Sequence, residues 1–178
     1  MTTGFKLYTL PVLILLLSAC NKQEVSAPSC RVDTNFHSGF KSSGTCLVRV
    51  ENKLLALTYS DNTYDLPTRK NLPNESGQCA AHRAVWEDTG LNVQVSAPLG
   101  VLENGSWLYA CHMHGGFDGS EINIPVPSWA NKQLLNIAFI DPFTIDVKQW
   151  RQPDDFINVR DGYIASKQLQ KPQLDNTP

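Results

Sequence analysis

No stretch of this 178-residue chain is long enough in apolar residues to cross a bilayer. A spanning helix needs about 20 consecutive apolar residues. The best candidate, residues 7–17, stops short of that and is interrupted by Tyr8, Thr9 and Pro11. There is no basic run and the formal net charge is −2, so nucleic acid is offered no positive face. No serine sits in a G-x-S-x-G context, which leaves serine-hydrolase chemistry without support. No C-x-x-C spacing occurs among the five cysteines, which disfavours a zinc site. Internal repeats are absent as well, so the chain is not a solenoid or an array. What remains is enough chain, at 42% apolar residues, for one sizeable core.

The short apolar run has a different use. Lys6 precedes it, and it closes on Leu17, Ser18, Ala19 and Cys20, which resembles a bacterial lipobox. Residues 1–19 then read as a lipoprotein signal peptide. Small side chains at 18 and 19 suit a narrow peptidase site, and the Cys20 thiol receives the diacylglycerol. Acylation with palmitate-type chains, two or more on one residue, gives stable anchoring where one chain is marginal. Residues 20–40 form the lipidated cysteine and tether, 41–168 a single globular domain, and 169–178 a flexible tail. The expected location is the bacterial cell envelope, lipid-anchored and periplasm-facing. Asn21 in place of an aspartate slightly favours the outer membrane over the inner.

Setting Cys20 aside leaves Cys30, Cys46, Cys79 and Cys111. An even number in an exported domain favours disulfides. Three connectivities are open. The preferred one is Cys30–Cys46 with Cys79–Cys111, which would staple the tether to the first strand and a helix start to a later strand.

Hydrophobic patterning places strands at residues 45–50 and 54–59, joined by a turn at 51–53. A polar loop with Pro67 and Pro73 follows. A helix then begins after Ser76, a suitable N-cap, and stops at Gly90, a suitable left-handed C-cap. Further strands are expected at 92–95 and 107–113, a turn at 115–120, a short helix at 129–136, a strand at 137–140, and the end of a last helix at 166–170. Hairpin, loop, helix, strands and helix make a mixed α/β pattern on one core.

On the helix, positions 84, 87 and 88 share a face, and Glu87 and Asp88 put carboxylates there with Arg83 adjacent. Carboxylates on one stripe outline a site for a hard cation, magnesium or manganese. Residues 66–91 carry more than this outline. Leu66 and Pro67, Glu75, Arg83, apolar Val85, Glu87, and Gly90 with Leu91 occupy the spacing of the box G-x5-E-x7-R-E-U-x-E-E-x-G-U, where U is apolar. Asp88 stands conservatively for the last glutamate. The stretch resembles the Nudix hydrolase family, as a degenerate box at residues 69–91.

That resemblance implies an α/β/α sandwich with a mixed central sheet. It also implies a metal-dependent hydrolase of a diphosphate linkage, either in a nucleoside diphosphate joined to another group or in a lipid-linked pyrophosphate. Mg2+ or Mn2+ would be bound by Glu87 and Asp88, with Arg83 orienting a carboxylate and Glu75 assisting. Such ions neutralise the phosphate oxygens and position the attacking water.

Two departures count against turnover. Thr68 and Arg69 stand where two glycines shape the loop, and Ala84 replaces the glutamate that in active relatives looks like a principal metal ligand. Glu103, Glu121 or Asp141 are the candidates to compensate. The rival expectation is a catalytically lapsed Nudix domain that binds a ligand or partner at the envelope. Elsewhere, His112 and His114 alternate along a strand and suggest substrate contact or a polar face. His82 reads as packed against the domain, and Trp107, Tyr109 and Trp129 as core or pocket wall.

Overall fold

The computed structural model describes residues 26–113 and 123–169. The expected signal peptide, the expected lipidation site Cys20, the start of the expected tether, His114, Glu121, the expected turn at 115–120 and the residues beyond 169 lie outside them.

The strands β1 (Gly44–Val50) and β2 (Lys53–Tyr59) form the expected hairpin, with Glu51 in the left-handed region at its turn. They pair only at the turn end, Arg49 opposite Leu54 and Val50 opposite Lys53. Beyond it they separate, and two short strands from the following loop fill in. β3 (Tyr64–Asp65) pairs with β2, and β4 (Thr68–Arg69) pairs with β1. Next come α1 (Gly77–Thr89), β5 (Val93–Val101), β6 (Trp107–Met113), β7 (Asn123–Ile124), β8 (Leu134–Ile140) and α2 (Phe156–Leu169). The sheet order is β5-β6-β1-β2-β8-β7. β1 and β6 run parallel, from Gly44 opposite Trp107 to Val48 opposite Cys111, while the other pairs are antiparallel. The mixed sheet matches expectation.

β1 is buried along its whole length because both faces are covered. Alternation then sorts its side chains. Cys46, Val48 and Val50 join Ala81 and Val85 of α1 in one core, and Leu47 joins Phe156, Val159 and Tyr163 of α2 in the other. This is the α/β/α sandwich. Arg49 is buried yet satisfied: Nε donates to Glu51 O at 2.7 Å, Nη1 to Tyr163 O at 2.9 Å, and the guanidinium lies over the Tyr163 ring.

The start of α1 presses on the start of β1. A side chain on Gly44 would collide with the Gly77 carbonyl, and one on Gly77 would come within 2.7 Å of the Tyr109 hydroxyl. The helix termini fall where the caps place them. Ser76 Oγ accepts from Cys79 N at 3.2 Å, and Gly90 takes φ +72°.

Three expectations change. Residues 129–136 are not a helix. The Asn131 side chain and carbonyl make a turn, and from Leu134 the chain pairs with β2, where burial of Ile137, Ala138 and Phe139 outweighs local propensity. β5 continues past residue 95 to Val101, absorbing Pro98 through register shifts at the sheet edge. The last helix ends where expected, at Leu169, and runs from Phe156 after a 3-10 turn at Pro153–Asp155. Finally, the disulfides are Cys30–Cys79 and Cys46–Cys111, not the preferred pairing. The parallel alignment of β1 with β6 brings the Cys46 and Cys111 Cα atoms to 5.9 Å. Cys30 instead reaches the first turn of α1, because the segment after it runs along the outer edge of β5. There Val32 bridges to Val95, and Val95 N donates to Arg31 O.

Candidate functional site

The pairing of β4 with β1 sets Arg69 opposite Gly44, close over α1, and this builds the charged cluster. Arg69 Nε donates to Glu87 Oε2 at 2.7 Å. Its Nη2 and Nη1 donate to the two oxygens of Asp88, at 2.6 and 3.1 Å, and Nη1 also reaches Thr68 O at 2.8 Å. Arg83 repeats the pattern one turn earlier. Its Nε and Nη2 grip Glu75 in a fork at 2.9 Å each, Nη1 donates to Glu87 Oε1 at 3.1 Å, and Nη2 ties down Lys70 O. Glu75 in turn accepts from Leu72 N, so the loop is fastened to the helix by its own acid. Glu75, Arg83, Glu87 and Asp88 are therefore brought together. The support role assigned to Arg83 has a geometric counterpart.

The cluster's charges shape one another. The Arg83 guanidinium holds the Glu75 carboxyl below the ordinary range, and the bonds to Glu75 and Glu87 raise Arg83 itself. Burial pushes Asp88 up despite Arg69. Burial also opposes the charge on Arg69, but Asp88 and Glu87 more than offset it and Arg69 is raised. With Glu75, Glu87 and Asp88 against Arg69 and Arg83, the formal sum is −3 + 2 = −1.

A divalent ion does not fit this arrangement. Both oxygens of Asp88 and one of Glu87 already receive the Arg69 fork, and the Asp88 side chain is only 4% exposed, so an ion has no approach that leaves Arg69 in place. Ala84 is fully buried and adds no ligand. Among the described residues, no group of three or more His, Cys, Asp or Glu side chains is placed to hold a metal. The Glu103 backbone N–H is held by Asp155, and the Asp141 carboxylate caps the turn at Phe143.

One carboxylate that no motif announced does come near. Asp65, in β3, is pushed up to about 6 by burial, and Asp88 and Asp155 add to that. Tyr59 beside it is pushed up to about 12 by burial, with Asp65 and Asp88 contributing. Only the β2–β3 pairing reveals this neighbourhood; the one sequence cue was the position of Asp65 directly before Leu66 and Pro67.

The other candidates resolve simply. His82 is buried and shares a 3.0 Å hydrogen bond with Asn92, the packing role expected. Tyr109 is core, whereas Trp129 is half-exposed and stacks on Trp86 over the C-terminal end of α1. His112 shares a 2.9 Å hydrogen bond with buried Ser96. Both line an open cleft of about 520 Å³ with Asp33, Phe36 and Gln168, and it shares no residue with the ion-pair cluster.

No protein-family model matches the chain. A MutT-like protein of Streptomyces ambofaciens is 29% identical over 137 residues, spanning 74% of this chain and 84% of that one. The fold is similar to that of an ADP-ribose pyrophosphatase from Streptococcus suis, with a TM-score of 0.55 at 15% identity over 70% of this chain and 90% of the other. A Nudix hydrolase from Nitrosomonas europaea gives 0.54 at 15% identity, over 71% of this chain and 90% of that one.

Proposed function

We propose that this chain is a divergent Nudix protein and that it is a non-hydrolytic Nudix domain, working by binding a ligand or partner at the bacterial envelope. The observation that carries the proposal is the Arg69 fork across Glu87 and Asp88, on a helix where Ala84 has already removed a carboxylate. Pyrophosphate hydrolysis needs charge neutralisation and an organised water at the scissile linkage. The helix stripe here is neutralised from within, and almost every N–H of Arg69 and Arg83 is occupied, so neither arginine is available to hold a phosphate.

The location half of the proposal rests on the lipobox-like run ending at Cys20, and on the pairing of all four remaining cysteines, which suits an oxidising compartment. No described helix is long and apolar enough to cross a membrane. Attachment would come from acyl chains on Cys20, at the end of the lipobox-like run.

A second reading keeps hydrolysis of a diphosphate linkage. The assembled Glu75–Arg83–Glu87 support favours it, as does kinship to proteins named as pyrophosphatases. Phosphate release separates the two. The disulfide-bonded protein from residue 21 onward is offered nucleoside diphosphate derivatives and isoprenoid pyrophosphates with Mg2+, Mn2+ or chelator. The proposal expects no turnover under any condition. Metal-dependent release that is lost in Glu87→Gln would overturn it in favour of the hydrolase.

A further inference from the structure

The ion pairs at the end of α1 are more than a sign of lost chemistry. Arg69 approaches the helix from β4, and its planar fork covers three carboxylate oxygens at 2.6 to 3.1 Å. A small divalent ion would use those same oxygens at roughly 2.0–2.6 Å. Without a cation, Asp88 would be a buried carboxylate beside a second carboxylate, an arrangement that is costly unless paired. Ala84 is fully buried on the same stripe, so the face holds two carboxylates where the family pattern holds three; the Arg69 guanidinium offsets one of their two formal charges, and Arg83 donates to the other oxygen of Glu87. Arg69 also donates to Thr68 O, which keeps the fork preset by its own strand.

We propose that Arg69 is a built-in replacement for a divalent ion: a covalently tethered cation that does for Glu87 and Asp88 what a metal does in a metal-binding box. The domain then needs no metal to fold or to hold its site. Vacating position 69 turns the same two carboxylates back into a cation site. This inference rests on the non-hydrolytic reading above, but the two fail separately.

The test uses the disulfide-bonded chain from residue 21 onward and its Arg69→Gly variant, which restores the residue type of the family pattern. Mn2+ binding is followed by paramagnetic resonance, and thermal unfolding is recorded with MnCl2 and with EDTA. The expected wild-type result is no saturable Mn2+ binding and the same Tm in both solutions. Arg69→Gly is expected to melt earlier in EDTA, to bind Mn2+ at least about tenfold more tightly than wild type, and to recover part of its Tm in MnCl2 by mass action. Adding Glu87→Gln is expected to abolish both gains. If Arg69→Gly does not fold, Arg69→Gln, which keeps the aliphatic stem but is shorter and neutral, carries the same expectations.

Wild-type Mn2+ binding that disappears in Glu87→Gln would overturn the proposal, because the ion and the guanidinium would then coexist. A folded Arg69 variant with no gain in Mn2+ affinity would overturn it as well. Wild-type turnover without metal binding would instead sink only the non-hydrolytic reading.

Discussion

At its N-terminal end α1 is fixed by a disulfide from Cys79 to Cys30, by Gly77 seated against Gly44, and by Gln78, whose amide accepts from Ser38 N and donates to Phe36 O and Ser96 O. From its middle to its C-terminal end it is fixed by two arginines and three carboxylates, one of them Glu75 from the preceding loop. The first end is held by a covalent bond, close contact and neutral hydrogen bonds. The second is held by charges, some partly exposed, whose strength depends on salt and pH. One helix therefore has an end that is indifferent to solution conditions and an end that responds to them. The charged end also coincides with the residues that carry the resemblance to the Nudix box.

The largest effect should come from breaking the neutral end. Cys30→Ser with Cys79→Ser opens a loop closed over a sequence separation of 49, and the loss is expected at about 2–4 kcal/mol. Urea unfolding would show it nearly unchanged between low salt and ~1 M salt. A strong salt dependence would erase the contrast between the two ends.

The next effect sharpens the charged end. Asp65 lies in a neighbourhood with Tyr59, Asp88, Asp155 and Arg151, and its folded-state value is raised from 3.8 to about 6. The folded state therefore binds a proton more readily than the unfolded one. Its contribution to stability is full below the unfolded value and is lost as pH rises through about 6. Asp65→Asn, which keeps an acceptor for Leu66 N, should stabilise the protein by on the order of 1–3 kcal/mol above neutrality and by little under acid conditions. Glu75 acts in the opposite direction. Held down by Arg83, it contributes stability above its ordinary value that is lost as pH falls through its folded value. A denaturation series against pH in wild type and Asp65→Asn would separate the two slopes.

The smallest effect returns to the neutral end. Ser76→Ala removes the acceptor for Cys79 N and should cost about 1 kcal/mol. With the Cys30–Cys79 bond intact the first turn should not fray, and amide exchange at residues 77–80 would show whether the disulfide makes the cap redundant.

How legible all this was depends on the range over which each feature is determined. The limits of α1 could be read from Ser76 and Gly90, because capping is chemistry between near neighbours. The β1–β2 hairpin and β6 were legible for the same reason. The cysteine pairing was not, since it follows from β1 lying beside β6, about 60 residues away in the chain, and no local pattern reports that adjacency. The box residues were recognisable by spacing, and the fold brings them together. Arg69 was legible only as a missing glycine. That its guanidinium returns to the two carboxylates depends on the β4–β1 pairing. Asp65 carried no mark beyond its place before Leu66 and Pro67, because burial and not sequence neighbours sets its behaviour. The strand at Leu134–Ile140 was half seen: its apolar end was recognised, while Trp129 and the residues after it resembled a helix until β2 claimed them.

The two disulfides interlock along the chain, with Cys46 falling between Cys30 and Cys79, and Cys79 between Cys46 and Cys111. A single peptide-bond cut anywhere between residues 30 and 111 therefore leaves both pieces joined by at least one sulfur–sulfur link. The charged stripe, the loop that carries Arg69 and the first five strands all lie in that interval. A protease that nicks this part of the molecule changes the number of chain ends but not the number of molecules, until a reductant arrives.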